Sequence, residues 1–181
     1  MSNTDNGNTG DEGRKKTSMT LGGIGPRLAL ICLPYVVLSL IVMRRYPGFS
    51  DLGFLDFPCA KIFGFVWLGA GMIFWISSAI FFARHFKAGK LMTQGPFALC
   101  RNPIYSSIIV FIIPSLALIF HSGLLLSISL VLYIGFKISI HGETNMLRRT
   151  FGEEYASYEK SVNEIVPFPR YLFRRDDGDP R

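Results

Sequence analysis

The chain has 181 residues, 49% of them hydrophobic and only 18% charged, and the apolar residues cluster into long uncharged runs that an ordinary soluble domain does not carry. The net charge of +6 is not arranged as a basic stripe interleaved with aromatics, so a nucleic-acid partner is excluded and the charge reads as attraction to anionic lipid. Cys32, Cys59 and Cys100 show no CxxC spacing, and neither a metal site nor a disulfide framework is expected.

Residues 1–20 are rich in Asn, Gly, Thr, Asp and Lys and form an expected disordered tail ahead of a membrane domain at 21–170. Leu28 to Met43 is apolar between Arg27 and Arg44, whose long side chains can snorkel to headgroups. This places a first span near 26–43, with Pro34 inside it, and membrane helices tolerate such a proline. A polar segment precedes the run and no small-x-small site follows, which argues against a cleavable signal peptide. Residues 44–61, with Phe49, Leu52, Phe54, Leu55 and Phe57 among Gly, Asp and Pro, read as an interfacial loop. Ile62 to Ala83 supplies a second span, 62–83. A polar connection over 84–101 contains the breakers Gly89, Gly95 and Pro96.

Asn102 to Phe136 is uncharged throughout. As one helix it would reach roughly 52 Å, against a hydrocarbon core about 30 Å thick. His121-Ser122-Gly123 at its centre can turn the chain, giving spans near 103–120 and 123–140 as a tight hairpin. Over 141–162, Phe151, Tyr155, Tyr158 and Val162 recur on one helical face, with Gly152 as an interruption. Pro167 and Pro169 end regular structure, and 171–181 reads as a flexible tail. The expected fold is an all-α integral membrane protein with about four transmembrane helices and a cytoplasmic C-terminal helix. Arg44, Arg45 and Lys61 fall on one face of such a bundle and the remaining Lys and Arg on the other, so both termini are expected to be cytoplasmic, in a bacterial inner or endoplasmic-reticulum membrane.

The hairpin turns two distant polar stretches into one candidate site. Arg101 and Asn102 precede Pro103, a residue suited to a first helical turn, and Tyr105 lies just inside. Lys137, His141 and Glu143 stand at the end of the returning helix and are expected to approach them. Interface anchoring accounts for Arg, Lys and Tyr taken singly. Glu143 resists that reading, because a carboxylate at the membrane surface usually has a partner or a task. Cys100, beside Arg101, reads as a small half-buried residue rather than a reactive thiol.

Two segments carry a resemblance. Gly95-Pro-Phe-Ala-Leu-Cys-Arg-Asn-Pro-Ile-Tyr105 and Glu143-Thr-Asn-Met-Leu-Arg-Arg-Thr-Phe-Gly-Glu-Glu-Tyr-Ala-Ser-Tyr158 resemble, in order and separation, the two signatures of the isoprenylcysteine carboxyl methyltransferase family of membrane methyltransferases. Gly69-Ala70-Gly71 stands where related phospholipid N-methyltransferases carry Gly-x-Gly, although small residues in a membrane helix also serve close packing. The resemblance implies S-adenosylmethionine as cofactor and a lipophilic acceptor from the bilayer, with no metal. It makes Arg101, Tyr105 and His141 the catalytic candidates, and Gly69, Gly71, Arg101, Asn102, Tyr105 and Glu143 the cofactor contacts. A carboxylate suits ribose hydroxyls or the cofactor's amino group, and a guanidinium suits its carboxylate. The family's second acid is Thr144 here, so that acid's role is not carried over. The implied reaction is methylation of a prenylated cysteine carboxylate, which needs no base. Methylation of a lipid amine or of a small thiol or amine is the second reading, with His141 or Tyr105 taking a proton. A non-enzymatic membrane subunit is a third, and a sterol-reductase-like relative a fourth.

Overall fold

A computed structural model describes residues 25–53, 58–85 and 91–168. The expected tails at 1–20 and 171–181 lie outside these, as do Phe54, Leu55 and Phe57 of the first loop and Gly89 of the second. Four helical segments run between two ends: α1 (Gly25–Arg45), α2 (Pro58–His85), α3 (Pro103–Ile119) and α4 (Gly123–Ser161). No β-strand occurs among the described residues, only two isolated bridges. α1, α2 and α4 are long and apolar enough to cross a membrane, and α3 is a shorter apolar helix packed against α2 and α4. Leu30, Leu38, Phe65, Val66, Ile73 and Leu130 point outward, an arrangement that suits lipid rather than water.

The bundle interior is built from small and polar side chains as much as from apolar ones. Ser78, Ser106, Ser107 and Ser115 are fully buried, and Ser78, Ser107 and Ser115 return their hydroxyls to carbonyls of their own helices, as Ser78 does to Phe74 (2.6 Å). Such close contacts are how helices associate where lipid offers no hydrophobic drive. Leu28, Cys32, Ile109, Phe136, Ile140 and Ile165 form one core cluster, and Ala117, Leu125 and Ile128 a second.

α3 contains a π-helical stretch, Ser107–Ile112, just before Pro114. A proline lacks the N–H that would have bonded the carbonyls four or five residues back, Val110 and Ile109. Both carbonyls find donors on neighbouring helices. Trp67 Nε1 donates to Val110 O (3.1 Å), and Ser129 Oγ donates to Ile109 O. Without them the freed groups would be unpaired inside the membrane.

The hairpin turn forms at Phe120–Ser122, with His121 at φ 50. It docks on the α1–α2 loop through Leu52 N–H to His121 O (2.7 Å) and Gly123 N–H to Ser50 O (2.8 Å). The expected C-terminal helix does not begin at 141 but is set off only beyond Gly152, where two helices meet at a kink. α4 runs on through His141, since nothing there breaks it, and bends only at Gly152 (φ 50, ψ −124). That conformation favours glycine. Arg148 and Glu159 would be roughly 16 Å apart along a straight helix, yet Arg148 holds Glu159 at 2.8 Å. The bend therefore folds the last helical turns back, and Tyr155, Tyr158 and Val162 pack with Leu91, Leu147 and Phe151.

Candidate functional site

The polar residues gather at the end of the bundle opposite the hairpin turn. What joins them is the segment after α4. Arg101 N–H donates to Asn163 O (2.8 Å) and Asn102 N–H to Glu164 O (3.1 Å), beside a parallel bridge between Cys100 and Asn163. Asn102 adds its side-chain amide to Glu164 O (3.2 Å). Ile165, next along, is buried in the core against Phe136 and Ile140, which anchors this strap from below.

Arg101 sits at the centre. Its side chain is only 10% exposed, and one terminal nitrogen donates to both Glu159 (2.7 Å) and the Tyr155 hydroxyl (3.1 Å). The other lies 3.9 Å from Glu164, and its Nε is buried with no hydrogen-bond partner among the described residues. Arg148 grips the second oxygen of Glu159, and Lys137 pairs with Glu164. Burial pushes the Glu159 carboxyl up, but its hydrogen bonds to Arg148 and Arg101 outweigh this and leave it below the usual range. Tyr158 donates to Phe97 O (2.6 Å), tying the folded-back helix to the Gly95–Ala98 turn. Burial raises the Cys100 thiol to about 11, so it is no nucleophile at neutral pH.

Glu143 lies past the apolar part of α4 and differs from the paired Glu159 and Glu164. It is half-buried, and it makes no hydrogen bond or ion pair among the described residues. Burial alone holds its carboxyl above the ordinary range. Tyr105 lies close enough to feel its charge. The Tyr105 ring packs on Phe136 (centroids 5.4 Å apart), and its hydroxyl approaches Gly25 at the start of α1.

The hairpin thus brings together Arg101, Asn102 and Lys137 on one side and Tyr105 and Glu143 on the other. Three expected contacts differ. His141 is exposed and bonds to none of these residues. Gly71 is filled by packing, since a Cβ there would stand 2.6 Å from Phe111 Cβ, whereas Gly69 faces open space. Two residues apart on a helix, they point to different sides and cannot share one ligand face. Arg101, expected to be free for a carboxylate, is already held by carboxylates of its own chain. Glu159, Glu164 and Tyr155 were not among the sequence candidates. The Arg148/Glu159 spacing held a signal only for a reader who folded the helix at Gly152, and Glu164, in irregular backbone, held none.

These features define a small helical membrane protein with a charged site at one end of an α3–α4 hairpin. The phospholipid methyltransferase family model matches residues 61–154, more than half of the chain, and the chain belongs to that family. Two rice proteins, from Oryza sativa subsp. indica and subsp. japonica, each named probable protein-S-isoprenylcysteine O-methyltransferase, are 32% identical to it over 79 residues. The match covers 44% of this chain and 41% of theirs, so the chain spans about two fifths of the length of these curated relatives. No solved structure matches.

Proposed function

We propose that the protein is an S-adenosylmethionine-dependent methyltransferase embedded in a membrane, acting on the carboxylate of an isoprenylated cysteine. Family membership supports methyl transfer, and the names of the rice relatives support the acceptor. The observation that carries the cofactor is Glu143, a half-buried carboxylate with no partner among the described residues, beside the Tyr105 hydroxyl. An unpaired carboxylate in such a place is costly unless a ligand donates to it. The amine and ribose hydroxyls of S-adenosylmethionine are donors of that kind.

The cofactor supplies a methyl group already activated by its sulfonium. Glu143 accepts hydrogen bonds from it, Tyr105 offers a ring face and a hydroxyl, and Asn102 is held in place by Glu164. Arg101, closed in by Glu159 and Tyr155, positions the strap more readily than it binds a ligand carboxylate. The chain's task is alignment and exclusion of water. The acceptor carboxylate is ionised and needs no base, so the exposure of His141 is no obstacle.

Purified protein is expected to bind radiolabelled S-adenosylmethionine, and Glu143→Ala to lose that binding. Transfer to a farnesylated cysteine analogue should give a base-labile methyl ester, and a base-stable product on phosphatidylethanolamine would replace this acceptor with a lipid amine. Absence of cofactor binding in the wild type overturns the enzyme altogether. Because ionised Glu143 accepts stronger, charge-assisted hydrogen bonds than its protonated form and its carboxyl is raised, binding should start to weaken, as pH falls, at a higher pH than an ordinary carboxylate near 4.3 would dictate.

A further inference from the structure

The described part of the chain ends in a tight turn at 163–168 that continues the strap. Phe168 N–H donates to Val166 O (2.8 Å) around Pro167, whose ring restricts φ to the range such a turn needs. Asn163 Nδ2 donates to Phe168 O and closes the turn from the other side. Ile165 within it is only 4% exposed, whereas Val166 is 53% and Phe168 52% exposed. Two apolar side chains thus stand outward on backbone that is tied at both ends.

Their depth decides what they meet. Ile165 packs in one cluster with Phe136 and Ile140 of α4 and with Leu28 and Cys32 of α1. Glu164 pairs with Lys137, the first charge after the uncharged run that ends at Phe136. Consecutive Cα atoms are about 3.8 Å apart, so Val166 and Phe168 lie within roughly 10 Å of Ile165, at the edge of the hydrocarbon. Ile134 and Ile138 of α4 are exposed at this level as well, on a helix long and apolar enough to cross a membrane. Aromatic side chains gather at such a boundary. A protein partner is a poor fit: two side chains offer about 300 Å², against roughly 800 Å² a side in a stable interface.

We infer that the strap is an in-plane membrane anchor, with Val166 and Phe168 inserted between headgroups and acyl chains of the leaflet at the polar end. The same strap accepts hydrogen bonds from the Arg101 and Asn102 N–H groups and from the Asn102 amide. Lipid therefore helps to hold the strap on Arg101 and Asn102, and the polar end is completed by the bilayer. The inference needs neither cofactor nor acceptor and stands apart from the proposed reaction.

The test uses the full-length protein in phosphatidylcholine nanodiscs, with Cys59→Ser to remove the exposed thiol and leave the buried Cys32 and Cys100. A nitrobenzoxadiazole label is attached at Phe168→Cys or, in a separate preparation, at Ser157→Cys. Ser157 shares an exposed helical stripe with Glu153 and Lys160. The Phe168→Cys label is expected to emit further to the blue and to be quenched by a lipid nitroxide near the headgroup end of its acyl chain. Iodide in the water should quench it little, and the Ser157→Cys label should behave in the opposite way. Equal iodide quenching of the two labels would overturn the inference. So would shielding of the Phe168→Cys label only where two copies share a nanodisc. Val166→Ser with Phe168→Ser should make the Arg101 and Asn102 amides exchange about tenfold faster in the nanodisc, as lost apolar burial would. Val166→Leu with Phe168→Leu keeps the apolar surface and should leave exchange unchanged. Unchanged exchange in the serine variant, or equally fast exchange in the leucine variant, refutes the anchor.

Discussion

Arg101 is the residue on which the polar end turns. A guanidinium 90% removed from solvent keeps its charge, and that charge is costly to the fold unless carboxylates face it; Glu159 is the nearest. Glu159→Gln should destabilise the protein by about 2 kcal/mol, since it weakens two charge-assisted contacts at once; chemical denaturation in detergent would register it. The pH dependence follows from the lowered Glu159 carboxyl. A depressed folded value means stability that is fully present above the unfolded carboxylate value, near 4.3. That stability is lost as pH falls through the lower, folded value. Acid unfolding of the wild type should show this loss, and the Gln variant should lack it. Arg101 and Asn102 were legible as a polar pair next to Pro103. Their partners were not, because Glu159 and Glu164 reach them only after a helix has folded back and an irregular strap has crossed over. Neither event leaves a periodic trace.

Helices were the most readable level, for the physical reason that lipid demands unbroken apolar runs. The boundary between the last span and its polar extension was not readable, because α4 crosses from apolar to polar without any residue that stops a helix. Gly152 stops it later. Nothing stands within 4 Å of a Cβ at that position, so Gly152→Ala tests backbone conformation alone. It should cost about 1–3 kcal/mol through strain at positive φ, and the Arg148–Glu159 pair should loosen, seen as faster amide exchange over 153–161. Gly69 and Gly71 give a matched pair on α2. Gly71→Ala drives a methyl into Phe111 and should cost about 1–3 kcal/mol. Gly69→Ala meets nothing and should leave stability unchanged or slightly higher. If Gly69→Ala nonetheless weakens cofactor binding, that glycine is a contact and the two roles of the triplet are separated.

At the scale of the whole molecule, the two ends of the bundle have different characters. One is a short backbone lock between the α1–α2 loop and the hairpin turn. The other holds the charged network, the start of α1 near Tyr105, and the strap that closes on Arg101. The described chain thus begins and finishes at the same end. Reporters fused ahead of Met1 and after Arg181 are expected on the same side, and on the cytoplasmic one from the distribution of Lys and Arg. A reporter found outside would refute that orientation. The strap has a further consequence. Asn102 and Glu164 are 62 residues apart in sequence, and their pairing makes α3, the turn and α4 into a closed loop of chain, buckled at one point. Trimming the chain before Asn163 would undo that buckle and leave the loop fastened only by Arg101 on Glu159 and Tyr155 and by Tyr158 on Phe97.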